Sequence, residues 1–331
     1  MLAYAVIFSH SFYQAVTTGD PLKRWTLGQQ EFGRMSVCFF FALSGYLIVQ
    51  SWARDPDPAR FLWKRILRIY PAYFLVSGLC FWVIQPMVST HWTPNITAFT
   101  FSAARLTESP TGDMFYGTPY PKRMIGSAWT LPWEFACYVS VCLLGMIGAL
   151  KYRRLLLAAA IVVVIVNALT VYGYEVPPRM RNDYGNWNGL PCIAYFIIGA
   201  AYFSYRDTLK FTRGGVIISL LLLAASFPLG NFGAVLPMAG TYLFFALGFS
   251  TIRLPHLGGD YSYGVYLLGW PVAMVFVFFG WITNSYLLAA ATILCSTVLA
   301  VPLWHFVEKR CLALKSPRSS SRDRGPEVTL A

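Results

Sequence analysis

Residues 35–53 read MSVCFFFALSGYLIVQSWA, nineteen positions without a charged side chain, closed by Arg34 before them and Arg54 after them. Roughly 20 apolar residues carry one helix across the hydrocarbon core of a bilayer, and this stretch has that length. The pattern recurs along the chain, as approximate spans at 1–16, 35–53, 70–90, 127–150, 155–173, 188–205, 214–229, 231–251, 261–281 and 284–306. The expected fold is therefore all-α, a polytopic membrane helix bundle of about ten transmembrane helices. The pair 214–229 and 231–251 is separated only by a tight turn near Asn231, and Pro228 and Pro237 can bend or break either helix. Nine is the competing count.

Composition supports the membrane. Of 331 residues, 56% are hydrophobic and 12% charged, against roughly 25% charged in soluble domains. Orientation follows from the distribution of Lys and Arg. With a cytoplasmic N-terminus, 18 of the 26 basic residues fall on the inner side and 8 on the outer, which places both termini in the cytoplasm. The net charge of +12 thus reflects topology rather than a basic face for nucleic acid, and no nucleic-acid partner is expected. Residues 1–310 form the transmembrane domain. Residues 311–331 are polar and rich in Ser and Arg, and are expected to be a disordered basic cytoplasmic tail.

Several chemistries are missing. The seven cysteines have no C-x-x-C pairing and lie mostly in apolar spans, as small buried hydrophobes do. The four histidines, His10, His91, His256 and His305, are too scattered for a metal site, so no metal is expected. There is no Walker loop or Rossmann glycine pattern, and LSGYL around Ser44 lacks the glycines of a nucleophile elbow.

What remains is a few polar groups in costly places. Glu134, in SAWTLPWEFACYV, is the one acidic residue well inside an apolar span, which makes it a functional candidate; a protonated or paired carboxyl that locks helix packing is the alternative. His10, in VIFSHSF, is a candidate base, a proton relay or a hydrogen-bonded core histidine. Topology puts Glu134 about 10 Å below the outer loop and His10 at or beyond mid-membrane, so the two are expected to face one cavity. Arg65 and Arg68, three apart with Arg60 and Lys64 nearby, share a helix face. They suit either an anion cradle or an interfacial helix touching lipid phosphates. Trp92, Tyr116, Tyr120, Tyr184 and Trp187 in the outer loops are either sugar-stacking rings or an aromatic belt.

Read in order, AVIFSHSF, FFFALSGYLI, RFLWKRILRIYPAY, WTLPWEFACYV, LGGDYSYGVYLLGWPV and PLWHFVEK resemble the integral-membrane acyltransferase family 3, over about residues 1–310. Its members include enzymes that O-acetylate bacterial O-antigens, exopolysaccharides and rhizobial Nod factors. The resemblance implies a multi-pass enzyme of the bacterial inner membrane with no permanently bound cofactor. It would take an acyl group, acetyl first among candidates, from the co-substrate acyl-CoA in the cytoplasm to a carbohydrate hydroxyl outside. His10 falls on the family's essential histidine, Arg65 and Arg68 on its R-x-x-R motif for the donor, and Glu134 on its W-[ST]-L-x-x-E carboxylate. The run Asp260, Tyr261, Ser262, Tyr263 opens the ninth span, and Tyr261 and Ser262, with Lys64, are candidate donor contacts. Two departures stand out. Many members have histidine where this chain has Gly269, and a basic residue expected eleven positions before His10 falls off the chain, so a start upstream of Met1 and a truncated first helix are expected.

A sugar hydroxyl is a weak nucleophile at neutral pH, and a histidine with an ordinary pKa near 6.5 suits proton removal as it attacks the thioester. His10 would be that base, or would carry the acyl group transiently. Glu134 would orient its imidazole or bind the acceptor. Arg forks would hold CoA phosphates. A transporter or flippase of a lipid-linked saccharide is the rival reading, since it also needs intramembrane His and Glu and a basic loop.

Overall fold

The computed structural model describes residues 1–15, 19–108, 114–171, 189–250 and 259–315. Among them the chain is all-helical. The order is α1 (Leu2–Gln14), α2 (Pro21–Trp25), α3 (Phe32–Arg54), α4 (Pro58–Leu79), α5 (Gln85–Val88), α6 (Ile96–Ala104), α7 (Leu131–Met146), α8 (Arg153–Val171), α9 (Gly189–Ser204), α10 (Arg213–Ser226), α11 (Phe232–Gly248), α12 (Ser262–Phe278), α13 (Ser285–Leu303) and α14 (Lys309–Ala313). The apolar segments fall mainly on these helices, 70–90 running over both α4 and α5; residues 16, 172–173, 188 and 251 of them lie outside the described residues. Three helical stretches, Phe32–Arg54, Pro58–Val88 and Ser285–Ala313, are long and apolar enough to cross a membrane; α9 to α12 are shorter apolar helices.

Local chemistry sets the helix starts. Asp57 accepts from the Arg60 amide at 2.7 Å and Pro58 follows it, so α4 begins there. The stretch 58–69 is therefore the first half of α4, and Arg65 and Arg68 lie on one helix. Pro71 sits inside the helix without ending it, and a π-helical turn at Cys80–Ile84 joins α4 to α5. Asn284 caps α13 through the Tyr286 and Leu287 amides. At the other end α13 runs through a π-helical turn, Trp304–Glu308, into α14. Cys311–Ala313 of the expected disordered tail are thus helical; residues 316–331 lie outside the described residues. Pro228 falls in the turn between α10 and α11, whereas Pro237 is carried inside α11.

The centre of the bundle is the contact of α3 with α9. A Cβ at Gly45 would lie 1.9 Å from the Phe196 carbonyl oxygen, and one at Gly199 would lie 1.9 Å from that of Ala42. Backbone meets backbone there, as small residues permit between membrane helices. Helix α1 packs on α3, α12 and α13. Its Tyr4 hydroxyl bonds Thr297 at 3.2 Å and its Phe12 ring meets Tyr286 at 5.0 Å, so α1 and α13 run antiparallel. The outer surface is apolar: Ile161 and Ile165 on α8, Ile217 and Leu221 on α10, and Leu294 and Val298 on α13 are exposed. Such a surface fits a lipid environment.

Candidate active site

His10 stands on the last turns of α1, and its ring meets the edge of Trp270 on α12, with centroids 5.0 Å apart and planes at 81°. Two glycines make this approach possible. A Cβ at Gly269 would meet Ile7 Cγ1 at 2.5 Å, and one at Gly126 would meet the Trp270 ring at 2.4 Å. Gly269 thus lets α1 close onto α12 at the position where the resemblance places a histidine in many members. Trp270 is fixed from its other side by Nε1 donating to the Arg123 carbonyl at 3.3 Å and by the Tyr120 ring at 5.2 Å.

These residues border a cavity of about 300 Å³, whose polar wall includes Ser9, Tyr13, Glu31 and Arg34. The His10 ring nitrogens make no hydrogen bond to any described group, yet neither is sealed from the cavity. The loop over the cavity is tied down by Asp20. This buried carboxylate accepts from Ser9 Oγ, from the Leu22 amide at 2.7 Å and from the Phe32 amide at 3.0 Å, joining α1, α2 and α3. Glu31 takes an ion pair from Lys23 at 2.8 Å. Burial pushes its carboxyl up, but the Lys23 ammonium bonded to it and the nearby Arg34 charge hold it below the usual range.

The second group lies further along α12. Arg68 pairs with Asp260 Oδ2 at 2.5 Å and with the buried Glu308 Oε2 at 3.3 Å, while its guanidinium lies 5.7 Å from the Tyr263 ring centroid. Arg65 donates to Ser51 Oγ at 3.0 Å and faces the Phe61 and Tyr138 rings, but its buried Nε has no partner. Glu134, also buried, accepts from Tyr138 Oη, which Ser44 approaches at 3.4 Å. The opposite charges acting on Glu134 are those of Arg68 and Arg65. Lys64 is turned outward to Asp55 at 2.8 Å. Ser262 bonds Asp260 at 2.5 Å, and the Tyr261 hydroxyl meets His305 at 3.4 Å. Lys315 joins the same field: it is half-buried beside Arg65, Arg68 and Lys64, and burial together with those cations lowers its ammonium to about 8.

Of the residues that the resemblance places at the donor, Arg68 and Ser262 meet at Asp260, Tyr261 meets His305 and Lys64 pairs with Asp55, while Glu134 lies in the field of Arg68 and Arg65. The expectation that Glu134 shares the His10 cavity does not hold, because Glu134 is not part of that cavity's wall. An apolar span beginning at 127 puts Glu134 two turns deep, but Gly126–Thr130 is a 3-10 turn and α7 begins at Leu131, with Pro132 in its first turn. Glu134 is therefore in the first turn of α7. Tyr266 on α12 holds the 3-10 turn between the two groups: its hydroxyl donates to the Ser127 carbonyl at 2.7 Å and bonds Thr130 Oγ1 at 2.8 Å. Tyr263, Tyr266 and Trp270 share one face of α12, so Arg68 and His10 address points about 10 Å apart along it.

Glu31, Arg34, Tyr138, Glu308 and Lys315 were not singled out from the sequence. Glu31 and Arg34 flank the first long apolar run and read as ordinary loop charges. Glu308 follows an apolar run and reads as a boundary residue. Of the expected outer aromatic residues, Tyr120 lines the cavity and Tyr116 is exposed. Trp92 packs on Phe81 and Trp82. Tyr184 and Trp187 lie outside the described residues, as do six of the basic residues counted for orientation, Arg179, Arg181, Arg253, Arg318, Arg322 and Arg324. Among the described residues no group of three or more His, Cys, Asp or Glu is placed to hold a metal ion.

A family profile described as an acyltransferase domain matches residues 1–305. The chain is 27% identical to an O-acetyl transferase of Shigella phage Sf6 over 96% of its own length and 95% of the relative's. It is 33% identical to nodulation protein 10 of Rhizobium leguminosarum bv. viciae over 49% of this chain and 46% of that one. With acyltransferase MdmB of Streptomyces mycarofaciens it shares 27% identity over 68% of this chain and 60% of the relative. No solved structure matches it.

Proposed function

Because the chain belongs to the acyltransferase family and is an acyltransferase of the O-acetyltransferase type, we propose that it moves an acetyl group from cytoplasmic acyl-CoA to a hydroxyl of a cell-surface or lipid-linked carbohydrate. In this reading ten helices span the bacterial cytoplasmic membrane and both termini face the cytoplasm. The antiparallel pairing of α1 with α13 supports that arrangement, since it brings Met1 and the Arg68–Glu308 pair to the same end of the bundle. The basic inner loops support the sidedness.

The observation that carries the proposal is His10 itself: an imidazole whose nitrogens have no hydrogen-bond partner among the described residues, against Trp270, in a cavity large enough for a sugar ring. The acceptor hydroxyl gives its proton to a ring nitrogen of His10 as its oxygen attacks the thioester carbonyl. The carbon–sulfur bond then breaks, and CoA sulfur takes the proton back from the imidazolium. Passage through acyl-His10 balances equally, with the acyl group on the ring nitrogen before the sugar oxygen displaces it. Among the described residues no carboxylate bonds the ring; the carboxylate placed in the same cavity wall is Glu31.

At the other end, Arg65, Arg68 and Lys315 form the cationic mouth for the donor's phosphates, and the pantetheine arm spans the distance along α12 to His10. Glycan acylation, normalised to membrane protein, tests this. His10→Ala should cost on the order of 10²- to 10⁴-fold; retention of more than about a third of turnover removes His10 from the chemistry.

A further inference from the structure

The cavity beside His10 holds three ionised side chains, and two of them are already answered by protein. Glu31 is held by Lys23 at 2.8 Å. Arg123 pairs with Glu108 at 3.5 Å, and that carboxylate also accepts from the Ile125 amide. Arg34 is different. Its guanidinium borders the cavity and makes no ion pair or hydrogen bond with any described residue. Glu31 lies near enough to be influenced by Arg34, but its ion pair is with Lys23.

Arg34 is an exposed residue on a fixed stretch of backbone. It sits in the first turn of α3, a turn anchored by the Phe32 amide donating to Asp20. Gly33 beside it lies against Ser9, where a Cβ would come 2.9 Å from Ser9 Oγ. A planar fork of five donors with no acceptor among the described residues, set at the rim of a cavity lined by both rings and polar groups, suits bidentate recognition of a carboxylate or phosphate. The aromatic residues Trp129 and Tyr120 also line the cavity and suit contact with a sugar ring.

We propose that Arg34 reads an anionic group on the acceptor, so that the carbohydrate acylated here carries a carboxylate or a phosphate within one sugar's reach of the reacting hydroxyl. This rests on the acyl-transfer reading of the His10 cavity, but it concerns binding, and binding is measurable without turnover.

The test uses the full chain in phosphatidylcholine nanodiscs, where no anionic lipid competes for the guanidinium. Binding of tritiated methyl glucuronoside is measured directly, with methyl glucoside and glucose 1-phosphate as competitors. The wild type should prefer the glucuronoside or the sugar phosphate over the neutral glucoside by about ten-fold or more. Arg34→Gln should reduce that preference to within about two-fold, and Arg34→Lys should keep part of it, because charge survives while the fork is lost. Which of the two anionic probes binds better distinguishes a uronic acid from a phosphate. Equal affinity of the wild type for charged and neutral probes overturns the proposal, as does a preference that persists in Arg34→Gln or a failure to bind any of the three. Acetyl transfer from acetyl-CoA to the same glycosides, run in parallel, separates the two levels. A charge preference in binding without any transfer sinks the acyl-transfer reading alone, and equal transfer to charged and neutral acceptors sinks the anionic acceptor alone.

Discussion

The Glu134 carboxylate accepts a hydrogen bond from the Tyr138 hydroxyl one turn further along α7, and the Tyr138 ring in turn lies beneath the Arg65 guanidinium at 5.8 Å. Glu134 therefore belongs with the arginines and not with His10. Replacing it by Gln should raise the donor KM while leaving the shape of the kcat pH profile in place, because that profile reports the imidazole. Tyr138→Phe should act in the same direction and more weakly, since it deletes the hydrogen bond but not the charge. A shift of the kcat profile in Glu134→Gln would show instead that this carboxylate acts on His10.

Arg65 and Arg68 have different duties despite their shared motif. Arg68 is engaged by two carboxylates, Asp260 before α12 and Glu308 after α13, and so ties three parts of the fold together. Its removal leaves a buried Glu308 without its partner, which for buried pairs costs about 3–5 kcal/mol. Arg68→Ala should lower the thermal midpoint of the protein in detergent and reduce the amount recovered from membranes. Arg65 has a partnerless Nε and only a serine at its Nη2. Arg65→Ala should fold and insert, yet show a donor KM raised roughly ten-fold or more, the scale of a lost charge-assisted bond. Equal thermal loss in the two variants would refute this division.

Much of this was legible in the sequence. Apolar runs fixed the helices because bilayer thickness sets a length, and the spacing of Arg65 and Arg68 fixed a common face because 3.6 residues make a turn. The placement of Glu134 was not legible. Its depth depends on where α7 begins, and a five-residue 3-10 turn held by Tyr266, 136 positions away from Thr130, decides that. Arg34 and Glu31 were also hidden, since a charge at the end of an apolar run looks the same whether it faces water, lipid or a cavity.

Lys315 gives the donor site a pH dependence. Its ammonium lies at about 8, below the ordinary 10.5, because burial and its cationic neighbours disfavour the charge. Between those values the unfolded chain holds a proton that the folded chain has released, so raising the pH through this window favours the fold. Donor binding runs the other way. A polyanion restores the charge and takes up a proton, so the KM for acetyl-CoA should rise as pH is taken from about 7 to about 9.5. In Lys315→Met that rise should flatten. An unchanged slope in the variant would place Lys315 outside the donor site.

Gly269 makes the most demanding prediction, because it links packing to chemistry. Ile7 is one turn from His10 on α1, and Gly269 is adjacent to Trp270 on α12, so the contact of Ile7 with Gly269 sets the distance between the imidazole and the indole. A Cβ at Gly269 would meet Ile7 at 2.5 Å, and Ile7 is itself buried. Overpacking of this kind typically costs about 1–3 kcal/mol, too little to abolish the bundle but enough to push α1 away. Gly269→Ala should therefore insert, lose several degrees in thermal midpoint and lose acyl transfer out of proportion to that loss. The compensating pair Gly269→Ala with Ile7→Ala returns the space and should recover both properties together, whereas Ile7→Ala alone should cost stability through the cavity it leaves. If Gly269→Ala keeps full turnover, or if the double variant regains its thermal midpoint but not its activity, the closeness of His10 to Trp270 has no part in the reaction.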